Sequence, residues 1–250
     1  MSATHKFIKQ VDRFAIYIAH NWVRLFVMVY GMWVLLPFTA PVLMQLGLEL
    51  PANVVYFIYS FFCHQLPERS FFFFGPKLMY GLDEIGKVWS TANPTVLRQF
   101  VGTAEMGWKM AWSDRMMSVY GGVWLAGLLY LAWGKRKPRV SLWAWALFGV
   151  VPLGIDGVTH MINDVVAGTS GTGFRDTNEW LRAIIGGLPD SFYSGNQLGS
   201  FNSWARWLTG FAFSFTTVFA LFPILDTSMQ ETAEDAAYQL ARIQSYEREA

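Results

Sequence analysis

The chain reads as an all-α membrane protein, a bundle of about four transmembrane helices with one further segment that is either re-entrant or a fifth span. Three observations predict this. Of 250 residues, 53% are hydrophobic and 17% aromatic. Only 15% are charged, against about a quarter in soluble domains. The apolar residues are also gathered into runs that approach the roughly 20 residues a spanning helix needs, so the bilayer rather than a water-excluding core is the expected solvent.

The elements follow in order. Phe7, Ile8, Val11, Phe14, Ala15 and Ile18 recur at helical spacing, with Lys6, Lys9, Asp12 and Arg13 between them. That is the pattern of a helix lying in the headgroup plane, or of a cytosolic lead-in to the first span. Leu25 to Leu46 carries no charge and forms the first span, with Pro37 and Pro41 as kinks. The run is too long for a signal-peptide core and lacks a small-x-small cleavage site after it, so it reads as a retained anchor. Val54 to Cys63 is apolar but short, and Phe71 to Phe74 resumes only after the polar stretch His64 to Ser70. Gly75 to Ala111 mixes glycine, proline and scattered charge and reads as a loop with short surface helices.

Met116 to Trp133 is again free of charge and spans. Lys135, Arg136, Lys137 and Arg139 form a tight basic connection, and such loops stay in the cytoplasm. Val140 to Ile155 follows and continues past Pro152 to about Val166, because Val158, Met161, Ile162 and Val165 keep helical spacing. Gly168 to Gly173 ends it. Asp176, with Glu179 three residues on, resembles a capping arrangement that starts a short helix over Thr177 to Ile185. Trp207 to Leu225 is the last span. Residues 1–225 thus read as one transmembrane domain, and 226–250, with Glu231, Glu234, Asp235 and Arg242, as a polar helix or tail.

With the basic loop 135–139 inside a bacterial cytoplasmic membrane, segments 65–115 and 167–203 fall on the extracytoplasmic side. The side of the amino terminus depends on whether Val54 to Phe74 crosses. Its own lysines favour the inside.

Charge at membrane depth is expensive unless paired or facing a wet cavity, so it marks candidate sites. Asp156, His160 and Asp164 are spaced four apart and share one helix face, with Asn163 alongside. Such a stripe suits acid or base chemistry, proton relay or a divalent metal; it suits equally an ordinary contact between helices. Asp156 follows a fully apolar run and precedes Gly157, where a ligand or backbone can approach closely. A second cluster joins Cys63, His64, Gln65, Glu68, Arg69 and Ser70, and a third Ser113, Asp114, Arg115 and Tyr120. Arg69, Arg115, Arg175 and Arg182 all belong to the outer half, where guanidinium forks suit phosphate or carboxylate groups. Pairing with Asp114, Asp156, Asp176 or Glu179 is the plainer use for each.

Other chemistries are disfavoured. One cysteine, Cys63, excludes an intramolecular disulfide and an all-cysteine metal cage from this chain. There is no phosphate-binding glycine loop, no His-Glu-x-x-His, no serine elbow, and no cysteine set for haem or an iron-sulfur cluster. The net charge of +1 gives no bulk attraction to nucleic acid.

Cys63-His64-Gln65-Leu66-Pro67-Glu68-Arg69-Ser70-Phe71 resembles the first motif of a family of multi-pass prokaryotic membrane proteins known as domain of unknown function 2085. The family's second motif, Cys-x-Arg-Cys-x-Gly-x-Tyr-x-Gly, corresponds to Ser113, Arg115, Met116, Ser118, Tyr120 and Gly122. Arginine, tyrosine and the last glycine match, but both cysteines are replaced, which argues against thiolate metal binding. Pro152, Asp156 and Gly157 match a third motif, and Arg175, Thr177, Asn178 and Arg182 a fourth. The resemblance covers about Tyr56 to Gly187 and implies fold and location without an activity.

The expected function is an outward-facing polar pocket that binds an anionic lipid or amphiphile. Asp156, His160, His64 and Asp114 are its candidate catalytic or metal-binding groups. Arg69, Ser70, Arg115, Tyr120, Arg175 and Arg182 are its candidate ligand contacts. The alternatives are a non-catalytic accessory subunit of a larger membrane complex and, third, a transporter.

Overall fold

The computed structural model describes residues 3–91, 93–134 and 137–249, so Lys135 and Arg136 of the basic connection lie outside the described residues. The chain begins in a continuous helix, α1 (Ala3–Leu35). No glycine or proline falls between Lys6 and Leu25 to break it. The amphipathic lead-in is therefore collinear with the apolar stretch, and the headgroup-plane alternative is corrected: lying in that plane would need a bend before the span. A 3-10 turn at Leu36–Phe38, built on Pro37, leads into α2 (Thr39–Gln45), and α3 (Glu49–Tyr59) folds back against α2.

Val54 to Phe74 is not a fifth spanning helix. The 11 residues of α3 cover about 16 Å at 1.5 Å each, roughly half the hydrocarbon thickness. The chain then passes through an extended Leu66 and a second 3-10 turn, Pro67–Arg69, into strand β1 (Ser70–Phe73). Helices α4 (Leu82–Val88) and α5 (Pro94–Leu97) are the short helices expected in the following loop. That loop also holds β2 (Gly102–Thr103) and β3 (Gly107–Ser113), which the all-helical reading lacked. The antiparallel sheet has the order β1-β3-β2, with Ser70 opposite Ser113 and Phe73 opposite Trp108. Strand alternation sends Phe71 to a cluster with Tyr59, Met110 and Trp112, and Phe72 to the opposite cluster with Tyr80, Ile85, Leu97 and Phe100.

From β3 the chain enters α6 (Asp114–Met116), a π-helical turn at Met117–Gly121, and α7 (Gly122–Ala132). After the connection come α8 (Leu142–Trp145), a second π turn at Ala146–Val150, and α9 (Val151–Ala167), which ends at Gly168 with φ of 58°. Helices α10 (Phe174–Thr177), α11 (Glu179–Ile185) and α12 (Asp190–Tyr193) cross the next loop. The single helix expected over Thr177 to Ile185 is corrected, because Asn178 is left-handed at φ of 46° and separates α10 from α11. Asp176 caps α10 from within, its carboxylate accepting the Gly173 N–H at 3.0 Å. Helix α13 (Phe201–Glu249) then continues through Pro223 into the polar tail.

Three stretches are helical, long and apolar enough to cross a bilayer: Lys6–Gln45, Leu142–Ala167 and Phe201–Tyr246. The Met116 to Trp133 run is helical over 114–132 and packs against α1 and α13. Val23 and Val27 of α1, Ala126 and Tyr130 of α7, and Val218, Phe219 and Phe222 of α13 form their shared core. Small residues bring α13 close to the π turn: a Cβ on Gly210 would fall 2.0 Å from Ser118 Oγ. At the far end Asp226 accepts from Trp22 Nε1 at 2.9 Å, Tyr130 OH at 2.6 Å and Lys137 Nζ at 2.8 Å. This clasp puts Trp22 of α1 at the same end as Lys137 and the last turn of α7. The polar residues around Asp114, Asp156 and Asp164 gather at the opposite end.

Candidate functional site

Helix α9 is two-faced. Ile155, Met161, Ile162, Val165 and Val166 are exposed, whereas Asp156, His160 and Asn163 are buried against the rest of the protein. The i, i+4 spacing does this by placing Asp156 and His160 on one inward line. Burying such groups is tolerable only with partners. One Asp156 oxygen accepts from Arg115 Nη2 at 2.6 Å, the other from Arg175 Nη2 at 2.8 Å. Asn163 donates to Asp176 at 3.0 Å and accepts the Arg175 backbone N–H at 2.8 Å, which seats α10 on α9.

Two more pairs surround this one. Arg69, in the turn before β1, grips Asp164 through Nη1 at 2.9 Å and Nη2 at 2.5 Å. Arg206 of α13 reaches both oxygens of Asp114 from Nε at 2.8 Å, and its Nη1 and Nη2 donate to the side chain and backbone oxygens of Asn196. Asp114 stands first in α6, where a carboxylate also suits the helix start, and it accepts the Arg115 backbone N–H at 2.8 Å.

These pairs border a cavity of about 460 Å³. Arg69, Arg98, Arg115 and Arg206 line it together with His64 and His160, and Asp164 is the one carboxylate among the described lining residues. Leu66, Pro94, Met116, Met161 and Val165 supply apolar wall. Arg98 has no carboxylate partner among the described residues; its Nη2 donates to the Ser60 carbonyl at 3.0 Å. Each of Arg69 Nε, Arg115 Nε and His160 Nδ1 is buried without a hydrogen-bond partner among the described residues. Behind the wall, fully buried Lys109 donates from Nζ to the carbonyls of Gln65 at 2.7 Å and Arg98 at 2.8 Å. Burial pushes its ammonium down to about 7. Burial also raises the Glu68 carboxyl, against the pull of Arg69 beside it.

The candidate residues are thus distributed unequally. His64, exposed, and His160, buried, share the cavity with Arg69 and Arg115. Asp156 and Arg175 hold these from outside the lining, and Asp114 is fully buried on Arg206. Ser70, Tyr120 and Arg182 do not line it. The Ser70 hydroxyl closes its own turn on the Leu66 carbonyl at 2.9 Å. Tyr120 packs on Trp33 and Trp112, each at 4.9 Å between centroids. Arg182 pairs with Asp190 at 2.7 Å on an exposed helix.

Sequence reasoning missed Arg206, Arg98 and Lys109. Arg206 carried a signal, as the last charge before an apolar run, whereas nothing local marks Lys109 as buried. Among the described residues no group of three or more His, Cys, Asp or Glu side chains is arranged to hold a metal. The stripe of Asp156, His160 and Asp164 does not fit a divalent cation, because guanidinium groups already occupy both carboxylates.

Two comparisons with known proteins bear on the family resemblance. Residues 104–220 match the family model described as predicted membrane protein (DUF2085). The match begins after the Cys63 to Phe71 motif and takes in the positions of the other three. The chain is also 26% identical over 173 residues to an uncharacterised protein of Methanocaldococcus jannaschii, an alignment covering 68% of this chain and 67% of that one. No solved structure matches the chain significantly. Through residues 104–220, the segment carrying Arg115, Asp156, His160, Arg175 and Arg206, the chain resembles the DUF2085 family of predicted membrane proteins, as its motifs implied.

Proposed function

We propose that the cavity binds the anionic group of a membrane amphiphile. One observation carries the reading: four guanidinium groups line the cavity against one carboxylate, and one of the four, Arg98, has no carboxylate partner among the described residues and is left to offer its charge to a ligand. The volume of about 460 Å³ lies within the roughly 300–1,000 Å³ of small-molecule sites. Met161 and Val165 line the cavity and also belong to the exposed apolar face of α9, a path for an acyl chain to leave toward lipid. Lys137 and Arg139 at the other end support a cytoplasmic location there and, with it, a cavity that opens to the outer side of a bacterial cytoplasmic membrane. Any acid or base step would fall to His64, the exposed imidazole, since arginines hold Asp156 and Asp164.

Native mass spectrometry of the full chain, taken from nanodiscs containing equal anionic and zwitterionic lipid, tests this. The expected result is retention of anionic lipid, reduced by Arg98→Gln. Equal retention of both lipids would overturn it.

The second reading, an accessory subunit, is favoured by Phe7, Val11 and Phe14. These form an exposed apolar stripe near the start of α1, beyond the clasp at Asp226. A stable complex recovered from membranes and lost on Phe7→Ser/Phe14→Ser replacement would support it.

A further inference from the structure

A second cavity, of about 410 Å³, adjoins the first. Gln65, Thr95 and Arg98 line both. The wall they share is fixed from behind, because buried Lys109 donates from Nζ to the carbonyls of Gln65 and Arg98 and so staples the segment before the Pro67–Arg69 turn to the end of α5. Gln65 in turn donates through Nε2 to the Tyr56 carbonyl at 2.9 Å, which holds the wall against α3.

Arg98 is the charged group at this boundary. Its Nη2 donates to the carbonyl of Ser60, the residue that ends α3 and lines the second cavity. Its Nε and Nη1 have no partner among the described residues, and unlike the Nε atoms of Arg69 and Arg115 they are not sealed from solvent.

The two cavities offer different chemistry. Arginines and apolar side chains dominate the first, whereas Asn53, Ser60, Gln65, Thr95 and Gln99 surround Arg98 in the second, with no carboxylate among its described lining residues. Ser60 and Gln65 spend their donors on the carbonyls of Phe57 and Tyr56. The side chains of Asn53, Thr95 and Gln99 have no hydrogen-bond partner among the described residues. A side-chain amide brings two donors and an accepting oxygen, and a hydroxyl both donates and accepts, so this set matches an uncharged group that carries several hydroxyls. Exposed Phe57 adds an apolar wall for the C–H face of such a group.

We propose that the second cavity binds an uncharged polyhydroxyl head, of the sugar or polyol kind, joined through a phosphodiester to the amphiphile whose anionic group occupies the first cavity, with Arg98 at the junction. This rests on the anion-binding reading above and narrows it from anionic lipids at large to those with a hydroxylated head.

The test is competitive lipid binding to the full chain in nanodiscs with three probes. Phosphatidylinositol carries a polyol head, phosphatidylmethanol has the same single charge and phosphodiester without a hydroxyl, and phosphatidylcholine is the zwitterionic control. Phosphatidylinositol is expected to bind about 10-fold more tightly than phosphatidylmethanol, the effect of one or two added hydrogen bonds. Asn53→Ala/Gln99→Ala, at two exposed positions, should bring that ratio to within about 2-fold, and Arg98→Gln should weaken both anionic lipids together. Equal binding of the two anionic lipids, both above phosphatidylcholine, overturns the inference and leaves the anion reading standing. A preference for phosphatidylinositol that survives the double replacement also overturns it, since the head is then recognised elsewhere. Binding of all three lipids alike overturns both.

Discussion

Arg206 and Asp114, 92 residues apart in sequence, meet in a forked ion pair in which both side chains are almost wholly removed from water. The pair ties α13 to the first turn of α6, beside the cavity that Arg115 and Arg206 both line. Arg115 follows Asp114 directly, and Ser118 receives α13 in close contact and donates to the Arg206 carbonyl at 3.0 Å.

Removing one member should therefore be severe. Arg206→Ala leaves a buried carboxylate without its partner and is expected to cost about 3–5 kcal/mol, whereas Asp114→Leu/Arg206→Met should cost less than the sum of its single changes. Unfolding of the detergent-solubilised protein, followed by circular dichroism, measures both. Additive costs would show that the pair is not the source.

Asp156 and Asp164 make a second comparison. Both accept from arginine, but the Asp156 side chain is 5% exposed and shared by two guanidinium groups, and that of Asp164 is 29% exposed and serves one. Asp156→Asn is expected to lower stability by about 3 kcal/mol and Asp164→Asn by about 1 kcal/mol. The same unfolding assay reads the order, and a larger loss at Asp164 would contradict it.

Asn178 combines a left-handed backbone with a fully buried side chain that donates to the carbonyls of Arg175 and Tyr193, each at 2.7 Å. Asn178→Ala loses both features and should cost about 2–3 kcal/mol, while Asn178→Gly keeps the backbone freedom and should cost less. Differential thermal unfolding of the two variants separates the backbone and side-chain parts.

Lys109 makes stability depend on pH. Its folded value near 7 lies below the ordinary 10.5, so within that window the unfolded chain holds the extra proton. Its contribution is fully present above 10.5 and is lost as pH falls toward 7. Stability should rise through this window with a slope of up to about 1.4 kcal/mol per pH unit, and Lys109→Met should flatten that rise. Denaturant midpoints at several pH values give both slopes, and equal slopes would contradict the assignment.

The apolar runs make the long helices legible, since a bilayer requires length and the absence of charge in one stretch. The inward face of α9 is legible for a related reason: Asp156 and His160 interrupt an apolar pattern at helical spacing. The small sheet is not. β1 and β3 are joined through pairs such as Ser70 with Ser113, and no local pattern in the glycine-rich stretch between them announces a partner so distant. Nor is the role of Arg206 legible, because its meaning comes from Asp114 on another helix. Ser70, Tyr120 and Arg182 show the converse. Each is polar and lies near a motif, but a turn, an aromatic cluster and a surface carboxylate take them up locally.

The account turns on the cavity's surplus of guanidinium charge, and Arg98 is the residue that isolates it. Arg98 lines the cavity and donates to a backbone carbonyl with no carboxylate partner among the described residues, so Arg98→Gln removes charge without stranding a buried acid. Equilibrium titration of phosphatidic acid and phosphatidylcholine into the full chain and this variant is the direct measurement. A preference for the anionic lipid of at least about 10-fold is predicted, cut severalfold by Arg98→Gln and weakened by added salt. Equal affinity for the two lipids, or a preference untouched by the substitution, would contradict it.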